Sequence, residues 1–171
     1  MPRTSWCAED APKGEADWFS ALSFANSHAP IVVKADRLEF QYESHLLTYY
    51  GNVEVRQADA ALSANELHIS LAPGKEMQIR EVRAIGSVRL SQGNRWATAK
   101  EAIFDQANGT AILRGDAILH DGQNEVRGDT VTVFIQERRS VVDGGRGRVQ
   151  AILYPGGAHP ALRREQPAEK P

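Results

Sequence analysis

The chain has 171 residues, 20 Lys and Arg against 22 Asp and Glu, and a single cysteine. That length supports one domain burying roughly two thirds of its unfolded surface, and one cysteine excludes an intramolecular disulfide. The two signs of charge are balanced with no like-charge block, which excludes the electrostatic footprint of a nucleic-acid binder.

Residues 1–29 carry Glu9, Asp10, Glu15 and Asp17 and show no alternation, so they are expected to form a mobile arm. Within it Ala16 to Asn26 suits a turn or two of helix with Trp18, Leu22 and Ala25 on one side. The start lacks the basic and apolar regions of a signal peptide, and Thr4-Ser5-Trp6 before Cys7 does not look like a lipoprotein cleavage site. No apolar run approaches the roughly 18 to 20 residues that a membrane-spanning helix needs.

From Ile31 to Leu153 the only proline is Pro73, beside Gly74. Proline removes a ladder donor, so a proline-poor, alternating, β-branched stretch predicts continuous antiparallel sheet. Turn signals fall between the runs at Pro73-Gly74, Gly93-Asn94, Asn108-Gly109, Asp121-Gly122 and Asp143-Gly144. Ala97 to Ala107 is full of helix formers and the stretch around Leu67 can also wind. Both occupy positions of an internal repeat whose other copies read as strand, and propensity is a weak prior against that. The repeat opens with a small and then a polar residue at Ala35-Asp36, Ala64-Asn65, Ala99-Lys100 and Gly128-Asp129. Its second half centres on Gly51, Gly86 and Gly115, with a weaker version near Gly144, Gly145 and Gly147. Self-similarity of this kind predicts one supersecondary unit stacked on copies of itself. Residues 156–171 hold prolines and mixed charge and are expected to form a disordered tail.

Period-two alternation assigns one face to Ile31, Val33, Leu38, Phe40, Tyr49, Val53, Val55, Leu67, Ile69, Val88, Leu90, Phe104, Leu113, Leu119, Val131 and Val133. The opposite face is expected to be largely polar, which suits two sheets face to face or one sheet curled into a trough. These residues are either a filled core or the lining of an apolar space. The recurring glycines favour room between the walls.

Signals for catalysis are missing. His28, His45, His68, His120 and His159 have no ligand spacing, and His68 and His120 fall on the polar face, where solvated surface is expected. No nucleophile elbow or phosphate loop is present, and no metal or cofactor is expected.

Four segments, Pro30-Ile31-Val32-Val33-Lys34-Ala35-Asp36, Leu47-Thr48-Tyr49-Tyr50-Gly51-Asn52-Val53-Glu54-Val55, Leu113-Arg114-Gly115-Asp116-Ala117 and Val126-Arg127-Gly128-Asp129-Thr130-Val131, are followed by Gly147-Arg148-Val149-Gln150-Ala151-Ile152-Leu153-Tyr154-Pro155. In that order, over about residues 29–155, they resemble the OstA-like proteins of lipopolysaccharide transport, and most closely the family's periplasmic bridge member. The resemblance implies an all-β, twisted, open V-shaped β-jellyroll over residues 30–155, whose apolar groove binds the acyl chains of lipopolysaccharide. It implies a periplasmic, non-enzymatic bridge, joined head to tail as a homo-oligomer between an inner-membrane transport complex and an outer-membrane translocon. It also carries an inward-facing role over to Ile31 and Val33. Rival readings are a β-scaffold that polymerises without carrying lipid, a cupin-like enzyme that would need metal, and the membrane-anchored or translocon members of the same family.

Overall fold

The computed structural model describes residues 29–74 and 78–155. Apart from Ala29, the expected arm lies outside the described residues, as do the expected tail, Cys7, His28 and His159. Among the described residues there are ten strands and no helix. In chain order they are β1 (Val32–Lys34), β2 (Arg37–Gln41), β3 (Leu46–Gln57), β4 (Ala60–Leu71), β5 (Ile79–Gln92), β6 (Arg95–Asp105), β7 (Thr110–Asp121), β8 (Asn124–Phe134), β9 (Arg139–Asp143) and β10 (Gln150–Ile152). All pair antiparallel in one sheet, ordered β1-β3-β4-β5-β6-β7-β8-β10. β2 also pairs β3 and β9 also pairs β8, so each edge consists of two short strands laid end to end along one long one.

The segment rich in helix formers is strand up to Asp105 in β6, and the stretch around Leu67 lies within β4. Each is paired on both sides, and two ladders of hydrogen bonds together with an apolar face outweigh propensity differences of about 0.7 kcal/mol per residue.

A line of bulges crosses the sheet. Register shifts fall between Tyr50 and Val53, between Ile85 and Val88, and between Arg114 and Ala117, each adding one residue to β3, β5 or β7 against a regular neighbour. At each shift a glycine and its successor have positive φ: Gly51-Asn52, Gly86-Ser87 and Gly115-Asp116. The missing Cβ makes room for a neighbouring side chain, Asp36 over Gly51, Asn65 over Gly86 and Lys100 over Gly115. Gly145, also left-handed, sits in the same way against Asp129. The repeat therefore has a physical meaning: each polar opening residue covers a glycine on the adjacent strand. Because Asp36, Asn65, Lys100 and Asp129 are exposed, the glycines do not open space between the walls, contrary to the expectation from sequence. The edges break along the same line, at Ala35-Asp36 between β1 and β2 and at residues 144–149 between β9 and β10.

The line divides each long strand into two halves, and the cross-strand register sorts their apolar residues into rows. One half, the first wall, carries the row Val33, Val55, Leu62, Leu90, Ala97, Leu119 and Val126. The other, the second wall, carries Leu38, Tyr49, Leu67, Ala84, Ala102, Leu113, Val131 and Val142. Beside it runs Phe40, Leu47, Ile69, Val82, Phe104, Ala111 and Val133. Both walls belong to one core cluster. A single layer of sheet can shield Leu67, Leu113 and Val131 to 1% exposure or less only by folding back on itself, wall against wall along the bulge line.

Candidate functional site

The inner face of this folded sheet is an apolar trough, and its two walls differ. Ten of the predicted lining residues are buried: Val53, Val55, Leu67, Ile69, Val88, Leu90, Leu113, Leu119, Val131 and Val133. Five lie on each wall, and together they close the floor by contact across the fold. Val33, Phe40, Tyr49 and Phe104 are half-buried and pack on that core. Ile31 and Leu38 lie on the inner side of the edge segments and remain exposed.

The apolar side chains that keep partial exposure lie mostly on the second wall. Phe40, Leu47, Tyr49, Ile79, Val82, Phe104, Ile135 and Val142 are half-buried there, against Val33, Ala35, Ala60 and Val126 on the first. Sequence reasoning missed Leu47, Ile79, Val82 and Ile135. Leu47, two residues before Tyr49 on β3, had a readable signal. Ile79 follows a register shift at Ser70/Leu71, and Ile135 lies beyond the end of β8 in a turn. Val82, two residues before Ala84 on the same face, had a readable signal. Tyr42 meets the edge of Phe40 at 4.4 Å, extending the wall toward the exposed β2 end.

Apart from Gln57 at its lip, the buried residues of this inner face are apolar. The half-buried apolar band beside them can hold hydrocarbon by area alone, at about 0.8 kcal/mol per buried methylene. Among the described residues no three of His, Cys, Asp and Glu gather as a metal site would require.

The outer face departs from the expected polar surface. It carries Ile85, Ile103, Ile112 and Ile118, with Ile103 buried. Arg83 lies 3.5 Å from Glu101 and 3.6 Å from Glu81, and Arg114 lies 3.8 Å from Glu101, an ion-pair network beside Ile85, Ile103 and Ile112, while Ile118 lies opposite Thr98 and Arg127. His120 is not solvated surface either. Its ring stacks on Trp96 at 4.8 Å, with Arg89 over the same indole at 5.2 Å, and its Nδ1 is buried without a partner among the described residues. His68 is half-buried, its Nε2 2.6 Å from Glu66 Oε1.

Two groups have shifted acidities. Asp105 is held below the ordinary carboxylate range by the backbone N–H of Asn108 at 3.0 Å and then by its side-chain amide at 2.7 Å, which together close the turn from β6 to β7. Lys100 is raised by its hydrogen bond to Asp116 at 2.7 Å and by that carboxylate's charge, on the solvent side of the bulge line.

With this geometry established, likeness to known proteins is informative. Residues 32–139 match the family model described as LptA/(LptD N-terminal domain) LPS transport protein. An uncharacterized protein of Rhizobium meliloti (strain 1021) is 28% identical over 133 residues, covering 74% of this chain and 72% of its own length. The lipopolysaccharide export system protein LptA of Escherichia coli (strain K12) is 22% identical over 133 residues, covering 74% and 71%. The crystal structure of LptH, the LptA-homologous periplasmic component of the lipopolysaccharide transport device of Pseudomonas aeruginosa, superposes with a TM-score of 0.64. It is 18% identical, over 74% of this chain and 96% of that one, so the likeness carries the fold, a twisted open antiparallel β-jellyroll. Since the matched span is well over half of the sequence, the chain belongs to the LptA/(LptD N-terminal domain) LPS transport protein family.

Proposed function

We propose that this protein binds lipopolysaccharide through its acyl chains and serves, in the periplasm, as a segment of a bridge carrying that lipid from the inner to the outer membrane. The observation that carries this reading is the band of half-buried apolar residues on the second wall, backed by a closed core. A hydrocarbon chain laid on Phe40, Leu47, Val82 and Phe104 removes their remaining surface from water with no polar group to desolvate. Energy for movement comes from elsewhere in the pathway, from the inner-membrane transport complex, and the outer-membrane translocon receives the lipid.

The edges support end-to-end assembly. Ile31, Val32 and Leu38 are exposed beside β1 and β2, and Val141, Ile152, Leu153 and Tyr154 beside β9 and β10. Unpaired strand edges carrying apolar side chains suit β-strand addition, and a head-to-tail contact of unlike edges builds filaments rather than closed rings.

A photo-crosslinker at Val82 or Phe104 is expected to label with lipopolysaccharide, while one at Glu54 or Arg89 on the outer face stays unlabelled. Equal labelling of both faces refutes the trough. The second reading, a scaffold that polymerises without cargo, draws on the ten lining residues closed by packing. It predicts that added lipopolysaccharide leaves the melting temperature unchanged.

A further inference from the structure

The two lips of the trough, where the strands turn, have unlike chemistry. On the first wall the last inward position of each strand forms one continuous cross-strand row: Gln57, Ala60, Gln92, Arg95, Asp121 and Asn124. At the second wall's lip the inward positions include Leu71, Ile79 and Ile135. The polar row is fixed by its own contacts. Arg95 Nε donates to Asp121 Oδ1 at 3.1 Å with both side chains about one quarter exposed, and Gln92 Nε2 donates to Asp59 Oδ1 at 3.0 Å. Gln57, only 4% exposed, donates to the Ala29 carbonyl at 3.0 Å, and Asn124 Oδ1 accepts from the Tyr154 N–H.

The geometry points to a saccharide-binding lip: an amphiphile whose acyl chains lie on the second wall sets a hydroxyl-rich sugar head over Gln92, Arg95, Asp121 and Asn124. This rests on the trough holding acyl chains. Two asymmetries converge on it, since partly exposed apolar side chains, the aromatic ones among them, are more numerous on one wall and hydrogen-bonding groups line the lip of the other. Amides, a guanidinium and carboxylates side by side offer both donors and acceptors, which suits hydroxyls that do both. One arginine stands here with two aspartates, Asp59 and Asp121, so the lip carries no excess positive charge to select a phosphate.

The test compares the full chain with Gln92→Leu/Arg95→Leu by titration calorimetry against three probes: an acylated diglucosamine phosphate, its dephosphorylated form, and phosphatidylglycerol of the same acyl length. The double variant is expected to lose about tenfold in affinity for both diglucosamine lipids and to stay within about twofold for phosphatidylglycerol. Equal losses for all three, no loss, or a loss confined to the phosphorylated form would overturn the assignment. Gln92→Met, with ligand-free melting as the folding control, carries the test if the double variant does not fold. An unaltered chain that binds phosphatidylglycerol as tightly as the sugar lipids leaves the trough standing and sinks the lip. Failure to bind any of the three sinks both.

Discussion

Substituting Gly86 by alanine separates the two physical reasons for a glycine at the bulge line. Gly86 has φ +80°, a conformation that costs an L-residue about 1–2 kcal/mol. An added Cβ would also stand 3.0 Å from Cβ and Cγ of Asn65 and 2.6 Å from its Nδ2. The amide end can swing away, but Cβ is fixed to β4, so strand or bulge must shift, and overpacking of this kind costs a further ~1–3 kcal/mol. Gly93 supplies the control, since its φ is +58° with nothing within 4 Å of an added Cβ. Gly93→Ala should therefore cost only the conformational part. In urea denaturation Gly86→Ala is expected to fall below Gly93→Ala by at least about 1 kcal/mol, or about 2–4 °C in melting temperature for a chain of this size. Adding Asn65→Gly should recover the steric share as a coupling energy in the double-mutant cycle. Equal losses for Gly86→Ala and Gly93→Ala, with no coupling to Asn65, would refute the view that these glycines exist to admit the neighbouring strand's side chain.

Leu113→Ala, at a residue with no exposure, should cost about 2–5 kcal/mol by urea denaturation. A loss under about 1 kcal/mol would mean that the walls do not meet there. Asp105→Ala should destabilise the protein near neutral pH. The folded acidity of Asp105 lies below the ordinary 3.8, so its contribution is present above that value and is lost as pH falls through the folded one. The melting-temperature gap between variant and parent should narrow below pH 3.8 and would contradict the turn assignment if it widened there. Val32→Lys and Ile152→Lys, at exposed edge positions, should each give monomers in sedimentation velocity, and an equimolar mixture should give dimers through the two unaltered edges. Oligomers of both single variants would rule out pairing through these edges.

Much of this architecture was legible because period-two alternation holds within each half-strand. Val53, Val55 and Val88, Leu90 fell on the inner face for that reason alone. The spacing of Asp36, Asn65, Lys100 and Asp129 was visible as a repeat, but its cause was not. Each partner glycine sits on a different strand, and only the register brings Asn65 over Gly86. The helix-prone segment from Ala97 was assigned correctly as far as Asp105, because repeat position outweighed composition. Harder to read was exposure. Leu67 and Phe104 lie on the same face, yet one is sealed against the opposite wall while the other keeps contact with water; Val133, in the row of Phe104, is sealed too, so the difference is set by contacts from other strands that alternation does not carry. The polar lip was invisible for the same reason: Gln57, Gln92 and Arg95 look like ordinary hairpin residues until the register aligns them. The isoleucines of the outer face were overlooked because the charged residues beside them, such as Arg83 opposite Ile103 and Glu101 opposite Ile85, are brought there by the register.

Bulges occur on β3, β5 and β7 while β4, β6 and β8 run regularly, so the natural increment of the molecule is a hairpin of one kinked and one plain strand. Lengthening the sheet by one such increment would extend the apolar inner face by about 10 Å, two inter-strand spacings. Nothing else would change: the hinge-like seam would stay aligned, the greasy side would stay opposite the hydrophilic rim, and both terminal edges would keep their shape. The length of the apolar inner face is thus adjustable in whole steps, by duplication of a segment that already carries its own glycine and the polar residue that covers it.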